Sequence, residues 1–511
     1  MIDNRYYRGE LSFIMNQESN SRQAFWIGVG SLMSFLVGII SSIFLSRLLS
    51  KGDYGTYKQV MFVYNTLLAV FTLGLPKAYS YFLPRYDIKY AKDIINKITL
   101  LFFVLGFVFS AVLFFGSSSI ASLLGNEDLS TAVKIFSPTP LFLLPTLGIE
   151  GIYATYKKTQ VVTAYIAVTR TITVLASVLP VIIFNGSYIH ALIGFDVASF
   201  FAFIIALFLK GKPVRGYNSE RSSLTIKDIL NFSLPLMYAS IWGLVLGSAA
   251  QFFISRYFGN EIFAEFSNGF IELPITSMVV ASIATILLPR FSEKDSGESM
   301  SDEVYNLWRS SLIKSAKIVF PVLVFSAFFS RLLMICLYGD NYSASGVYFL
   351  IKNISGLFYI VPVAPILLSI GKSKPYANVH MFAALLCVVL EFLCVRLFSS
   401  PVLVAIISEV CQIIKVFLMI VIITKYSKRP MSKLIPYEVF NIIIVSVLAA
   451  IIPFVVSQFV TINKFVLLVG CFASFTILYL LICNVVKLTY KDIVYGIMPA
   501  IKHTSINKLI P

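Results

Sequence analysis

Long apolar runs recur along this chain about fourteen times, each near the roughly 20 residues that cross a hydrocarbon core as a helix. They fall at 25–49, 58–82, 98–119, 133–155, 161–184, 188–209, 230–256, 266–289, 312–337, 346–370, 376–398, 401–424, 437–460 and 463–486. In lipid, each segment must satisfy its own backbone hydrogen bonds, so runs of this length fold as transmembrane helices. A membrane β-barrel would show weak ten-residue alternation instead. Only 13% of the 511 residues are charged, against roughly 25% in soluble domains. That is too little polar surface for a soluble globule, and the apolar content rules out disorder. The expected fold is an all-α polytopic membrane protein with no sizeable domain outside the bilayer.

The net charge of +16 invites a nucleic-acid reading, which the placement of the cations excludes. They sit in short connections: Arg5 to Arg22, Arg85 to Lys97, Lys157 and Lys158, Lys210 to Lys227, Arg290 to Lys317, Lys372 and Lys374, Lys425 to Lys433, and Lys487 onward. These alternate with weakly charged connections, which predicts an even number of spans and both termini in the cytoplasm. The first run, from Phe25, is too long for a cleavable signal and lacks a small-residue cleavage pattern. The six cysteines (Cys336, Cys387, Cys394, Cys411, Cys471 and Cys483) lie in apolar runs without C-x-x-C spacing and read as small hydrophobes.

Gly211 to Ser223, rich in Gly, Ser and charge, reads as a hinge. It separates a first lobe (1–210) and linker (211–226) from a second lobe (227–426), followed by a helix pair with a cytoplasmic tail (427–511). An internal repeat supports two lobes. A shift of 209 residues sets Ser31 on Ser240, Gly38 on Gly247 and Phe44-Leu45-Ser46-Arg47 on Phe253-Ile254-Ser255-Arg256. A shift of 205 sets Leu83-Pro84-Arg85-Tyr86 on Leu288-Pro289-Arg290-Phe291, and Leu124-Gly125-Asn126 echoes Tyr338-Gly339-Asp340. An even number of spans separates the copies, so the repeats are parallel, a transporter architecture.

The F-L-S-R end of the first helix is followed by Lys51-Gly52-Asp53-Tyr54-Gly55-Thr56-Tyr57, and the second helix ends in Phe82-Leu83-Pro84-Arg85-Tyr86. With the half-way restart, Leu337 to Tyr342 and the Gly371-Lys372 turn, the chain resembles the polysaccharide-exporter branch of the multidrug/oligosaccharidyl-lipid/polysaccharide (MOP) flippase superfamily. The resemblance implies two pseudo-symmetric six-helix lobes around a central cavity plus a C-terminal helix pair. It implies a Wzx-type task in a bacterial inner membrane, moving undecaprenyl-diphosphate-linked oligosaccharide between leaflets by alternating access. Implied partners are that substrate, membrane lipids, H+ or Na+, and the polysaccharide polymerase and chain-length machinery. No cofactor or nucleic acid is implied. The family's lipid II flippases keep arginines in the first helix, and none occurs here between Phe25 and Ser46.

No enzyme signature is present. Gly371-Lys372-Ser373 has Ile366 where a P-loop needs glycine, and His190, His380 and His503 stand far apart without H-E-x-x-H. What remains is intramembrane charge, costly enough in lipid to mark function by default. Counting about 1.5 Å per residue from the cytoplasmic ends puts Lys77, Arg170 and Glu150 roughly 10–13 Å deep. Arg85 and Arg290 then mark an inner mouth, and Arg47 and Arg256 an outer one. These six cations suit a diphosphate path. The alternative is a salt bridge of Glu150 with Lys77 or Arg170, and interfacial snorkelling for Arg47 and Arg256. Arg170 shares a helical stripe with Thr163, Thr173 and Ser177. In the second lobe, Glu272 and Lys352 come out level and read as a structural or gating pair. Glu391 and Glu409 sit at one height on consecutive helices without an evident basic partner, and Asp196 stands alone at a similar height; these three read as ion-coupling carboxylates. Rival readings are a cation-coupled drug exporter, for which twelve spans suffice; a lipid II flippase; and a membrane glycan polymerase or ligase, whose large external loop is missing.

Overall fold

The computed structural model describes residue 26 and residues 28–217, 219–280, 283, 300–361, 363–369 and 372–491. Helices dominate, with no strand among the described residues. Eleven of these helices are long and apolar enough to cross a membrane, and a pair bent by 54°, Ile226–Pro235 and Ser240–Gly269, makes twelve. Fourteen spans were expected. The expected span 346–370 is instead two short helices, Ser345–Tyr359 and Val363–Ser369. The first ends shortly before Pro362 in the sequence, and proline lacks the amide hydrogen a helix needs. The expected span 266–289 begins inside the helix that ends at Gly269 and runs beyond the described residues.

Local sequence explains where helices start. Helix α2 (Lys51–Phe71) is capped by Ser50, whose Oγ accepts from the Asp53 amide at 3.1 Å. Ser301 and Ser400 cap the helices Asp302–Phe328 and Pro401–Ser427 in the same way, the latter with proline in its first turn.

The chain divides into two compact units, Met1–Ala264 and Glu265–Pro511. The first holds α1 (Gly28–Leu48), α2, α3 (Pro76–Phe82), α4 (Ile88–Leu124), α5 (Asp128–Phe136), α6 (Thr139–Leu143), α7 (Ile149–Thr155), α8 (Thr159–Ile183) and α9 (Tyr188–Gly211). It also holds most of α10 (Ile226–Gly269), so the boundary lies beyond the sequence-based linker at 211–226. Polar contacts draw α10 into this unit. Gln59 Nε2 donates to Ser255 Oγ at 2.8 Å, Asn260 Nδ2 to the Gly52 carbonyl at 3.2 Å, and Phe62 packs on Phe263 with centroids 5.8 Å apart.

Nor is the linker a free hinge. Lys89 pairs with Glu220 at 3.0 Å, Asp93 accepts from the Ser222 amide at 2.9 Å, and Lys97 Nζ donates to the Leu224 carbonyl at 2.9 Å. Its second half is therefore strapped to the start of α4. Polar residues read as a loop signal here because their partners lie more than a hundred positions away.

The second unit contains α11 (Asp302–Phe328), α12 (Ser330–Tyr338), α13 (Ser345–Tyr359), α14 (Val363–Ser369), α15 (Ser373–Leu397), α16 (Pro401–Ser427), α17 (Tyr437–Ser457) and α18 (Lys464–Val486). The C-terminal pair α17–α18 packs on α11: Phe325 of α11 lies 5.2 Å from Phe475 of α18, and Arg309 of α11 pairs with Glu438 of α17. None of the six cysteines forms a disulfide among the described residues. In the repeat, Gly125 and Gly339 both close a helix with positive φ, +71° and +96°.

Candidate functional site

Two expected spans of the first unit are broken, and the breaks build the site. After α2 the backbone turns through Leu73 and Gly74, both at positive φ, before Pro76 restarts the helix as α3. The second break runs from Leu144 to Gly148, where Leu147 is extended and Gly148 has φ +76°, before α7 begins. A side chain at Gly148 would strike the Tyr79 ring, since its Cβ would lie 2.3 Å from Cδ2. The second break thus packs on α3, just after the first, and Lys77 and Glu150 each lie one residue into the restarted helix. Discontinuous spans of this kind are where membrane transporters place polar sites.

The breaks face a cavity of about 790 Å³, whose remaining walls come from α1 (Gly30, Ser31, Ser34) and α8 (Tyr165, Arg170). Lys77, Glu150 and Arg170 all line it, together with Ser80 and Thr146. The three charges that sequence counting put at one depth therefore share one space. All three are exposed, and no ion pair joins Glu150 to either cation among the described residues. The structural salt bridge expected as the alternative is not formed. Two cations and one carboxylate leave the cavity a net positive charge. A guanidinium can bind a phosphate with two parallel N–H bonds, and an ammonium can add a point charge.

The other members of the expected path lie outside this cavity. Arg85 stacks on the Tyr81 ring at 3.6 Å and bonds the Tyr81 carbonyl, while Arg256 bonds the Ser122 carbonyl at the end of α4. Arg47 is exposed at the end of α1, and Arg290 lies outside the described residues. Of the Arg170 stripe, Thr163 is spent on the Trp26 carbonyl at 2.7 Å and Thr173 on that of Thr169 at 2.9 Å. Neither threonine lines the cavity.

The carboxylates also differ from expectation. Asp196 does not stand alone, because the Thr139 hydroxyl donates to it. Lys352 pairs with Glu409 at 2.7 Å, not with Glu272, and Ser355 and Tyr359 also donate to Glu409. Depth along a helix axis cannot resolve azimuth, and azimuth selects the partner. Glu272 lies exposed in the non-helical stretch 271–273. Glu391 is fully buried; Cys387 Sγ donates to its Oε1 at 3.3 Å, and its Oε2 has no partner among the described residues. Glu391 and Glu409 are thus held by different groups and do not form a common site.

Sequence reasoning missed Lys210, which stands at the end of an apolar run and looked like an orientation signal. It is 2% exposed, and its Nζ donates to the Leu147 carbonyl at 2.7 Å and to Tyr79 Oη at 2.9 Å. Tyr79 Oη in turn bonds Thr99 Oγ1 at 2.8 Å. Lys210 therefore clamps the broken segment behind the cavity from α9. Lys210→Met should leave the Leu147 carbonyl unpaired in an apolar setting, a cost of about 1–3 kcal/mol. The expected result is lower thermal stability with insertion retained, and an unchanged melting curve would discount the clamp. Lys415, a second intramembrane lysine, bonds Gln412; a single lysine in an apolar run was its visible signal.

Residues 44–346, more than half of the chain, match the polysaccharide biosynthesis protein family. The chain belongs to this family. The match begins at the F-L-S-R motif and ends at Gly346. Among solved structures, this polysaccharide biosynthesis family member is similar to the lipid II flippase MurJ in an inward closed conformation, with a TM-score of 0.69, 15% identity, and 91% of this chain and 99% of that chain covered. It is also similar to an inward-facing multidrug resistance MATE family transporter of the MOP superfamily, with a TM-score of 0.60, 14% identity, and 79% and 99% of the two chains covered. An outward-facing multidrug resistance MATE family transporter of the MOP superfamily gives 0.53 at 14% identity, covering 81% and 96%. At these identities the likeness is one of fold. No curated protein matches the sequence. The family match is to polysaccharide biosynthesis, and the solved structures give the fold that MurJ and the MATE transporters share.

Proposed function

We propose that this protein moves a polyprenyl-diphosphate-linked oligosaccharide across a bacterial inner membrane, with both termini cytoplasmic. The observation that carries the reading is the first-unit cavity, where Lys77 and Arg170 are both exposed and neither is ion-paired to Glu150. A net positive cavity in a low-dielectric surround favours a diphosphate over the cationic compounds a drug exporter would take. Ser31, Ser34, Ser80 and Glu150 add hydroxyl and carboxylate partners for sugar hydroxyls near the phosphates. The family match supports a glycan cargo for polysaccharide assembly.

Without a nucleotide site, cycling would draw on an ion gradient or on product consumption outside. The ion-coupling role, first divided among Glu391, Glu409 and Asp196, passes chiefly to Glu391. The other two carboxylates already accept from Lys352, Ser355 and Tyr359, or from Thr139. An ion biases a conformational equilibrium only if it binds one state better, and a buried carboxylate oxygen without a donor offers such a contact.

The test is reconstitution into vesicles carrying a fluorescent polyprenyl-diphosphate oligosaccharide in one leaflet, with imposed proton or sodium gradients. Wild type should expose the glycan at the opposite face faster than empty vesicles, and Glu391→Gln should lose any gradient dependence. Vesicles that transport a cationic dye but leave the glycan in place would sink the proposal.

A further inference from the structure

The second unit carries a basic recess of its own, of about 540 Å³, where the start of α11, the residues after α16 and the start of α17 meet. Arg309, Arg429 and Lys433 bring three cations to its wall, and Glu438 brings one carboxylate beside Ser432. Arg309 is bound by Glu438 and Arg429 by Asp302, with the Arg429 guanidinium 4.3 Å from the Tyr305 ring centroid. A guanidinium has five N–H donors, so one carboxylate leaves several of them unspent. Among the described residues, Arg429 Nε and Glu438 Oε2 indeed have no hydrogen-bond partner. Lys433 gives its carbonyl to Tyr305 Oη at 2.9 Å and stays exposed at the rim.

Two apolar spans, α11 and α17, begin at this recess, which sets it at head-group level on one membrane face. From its rim an exposed apolar stripe descends along α17 through Tyr437, Phe440, Ile444, Leu448 and Ile451, at three- and four-residue spacing. A cation-rich polar recess that opens onto a lipid-facing stripe has the two-part chemistry of a phospholipid. The phosphate would meet Arg429 and Lys433, and an acyl chain would follow α17. Glu438 Oε2 adds an acceptor for a head-group hydroxyl, which a choline head group lacks.

We propose that this recess binds an anionic, hydroxyl-bearing glycerophospholipid of the phosphatidylglycerol type, drawn from the surrounding leaflet. The site is separate from the first-unit cavity and stands whether or not that cavity takes a diphosphate.

Native mass spectrometry of the full-length protein in detergent tests it, with phosphatidylglycerol and phosphatidylcholine of equal chain length offered in turn. Wild type should retain phosphatidylglycerol about five- to thirtyfold better, in line with the attraction of one or two cations at a membrane surface. Lys433→Gln and Arg429→Gln should each lose most of that preference. Lys433 is exposed at the rim, so its variant keeps the test decisive if Arg429→Gln, which breaks the pair with Asp302, fails to insert. Equal retention of the two lipids, or an unchanged preference in Lys433→Gln, would overturn the proposal. So would displacement of the lipid by inorganic phosphate alone, which would mark a free-anion site, or preferential binding of a polyprenyl diphosphate, which would mark a substrate site.

Discussion

Lys77→Ala should cut glycan transport in reconstituted vesicles by roughly ten- to a hundredfold, the loss of one charge-assisted contact of about 1.5–3 kcal/mol. The protein should still fold and insert, because Lys77 is exposed to the cavity and takes part in no ion pair there. Lys77→Arg should recover much of the rate, since it keeps the charge and adds donors suited to phosphate. Lys77→Glu should be worse than alanine, because it would place two carboxylates beside the substrate phosphates. Initial rates decide the matter once expression and detergent-solution behaviour are matched. Normal transport by Lys77→Ala would remove the central residue of the proposed diphosphate site. Loss of the variant from the membrane would instead point to a structural role.

A second large effect is expected at Glu409, and here the quantity is stability. Its side chain is 3% exposed, and it holds the Lys352 ammonium at 2.7 Å while accepting from Ser355 and Tyr359. Glu409→Leu would strip that half-buried ammonium of its ion-pair partner, a loss of about 3 kcal/mol. The double variant Lys352→Met with Glu409→Leu should regain most of it, because apolar replacement of a whole buried pair is often neutral. Thermal unfolding in detergent, read by intrinsic fluorescence, measures both. If the single variant melts like wild type, or the double variant melts no higher than the single, the pair carries little of the fold. An ion-coupling role for Glu409 would then regain its footing, because its carboxylate would not be committed to Lys352.

What the sequence determined by itself is what depends on near neighbours and on the solvent. Apolar runs of span length fix helix and membrane because backbone groups in lipid can be satisfied only within the segment. Ser50, Ser301 and Ser400 mark helix starts through bonds three residues long. Matching motifs 205 to 209 residues apart predict a duplication, and rise per residue put Lys77, Glu150 and Arg170 at one depth. The tertiary structure decided what depends on direction around a helix axis and on distant partners. It alone brought those three side chains into one cavity, because Lys210 of α9 bonds both the Leu147 carbonyl in the break at 144–148 and Tyr79 of α3, the helix that restarts after the break at 72–75. It alone gave Glu409 to Lys352, and Ser222 to Asp93, 129 positions apart. Hydropathy measures how much a residue favours lipid, and depth measures how far it lies along one axis. Neither carries the azimuth that selects a partner, so pairing had to wait for the packed helices.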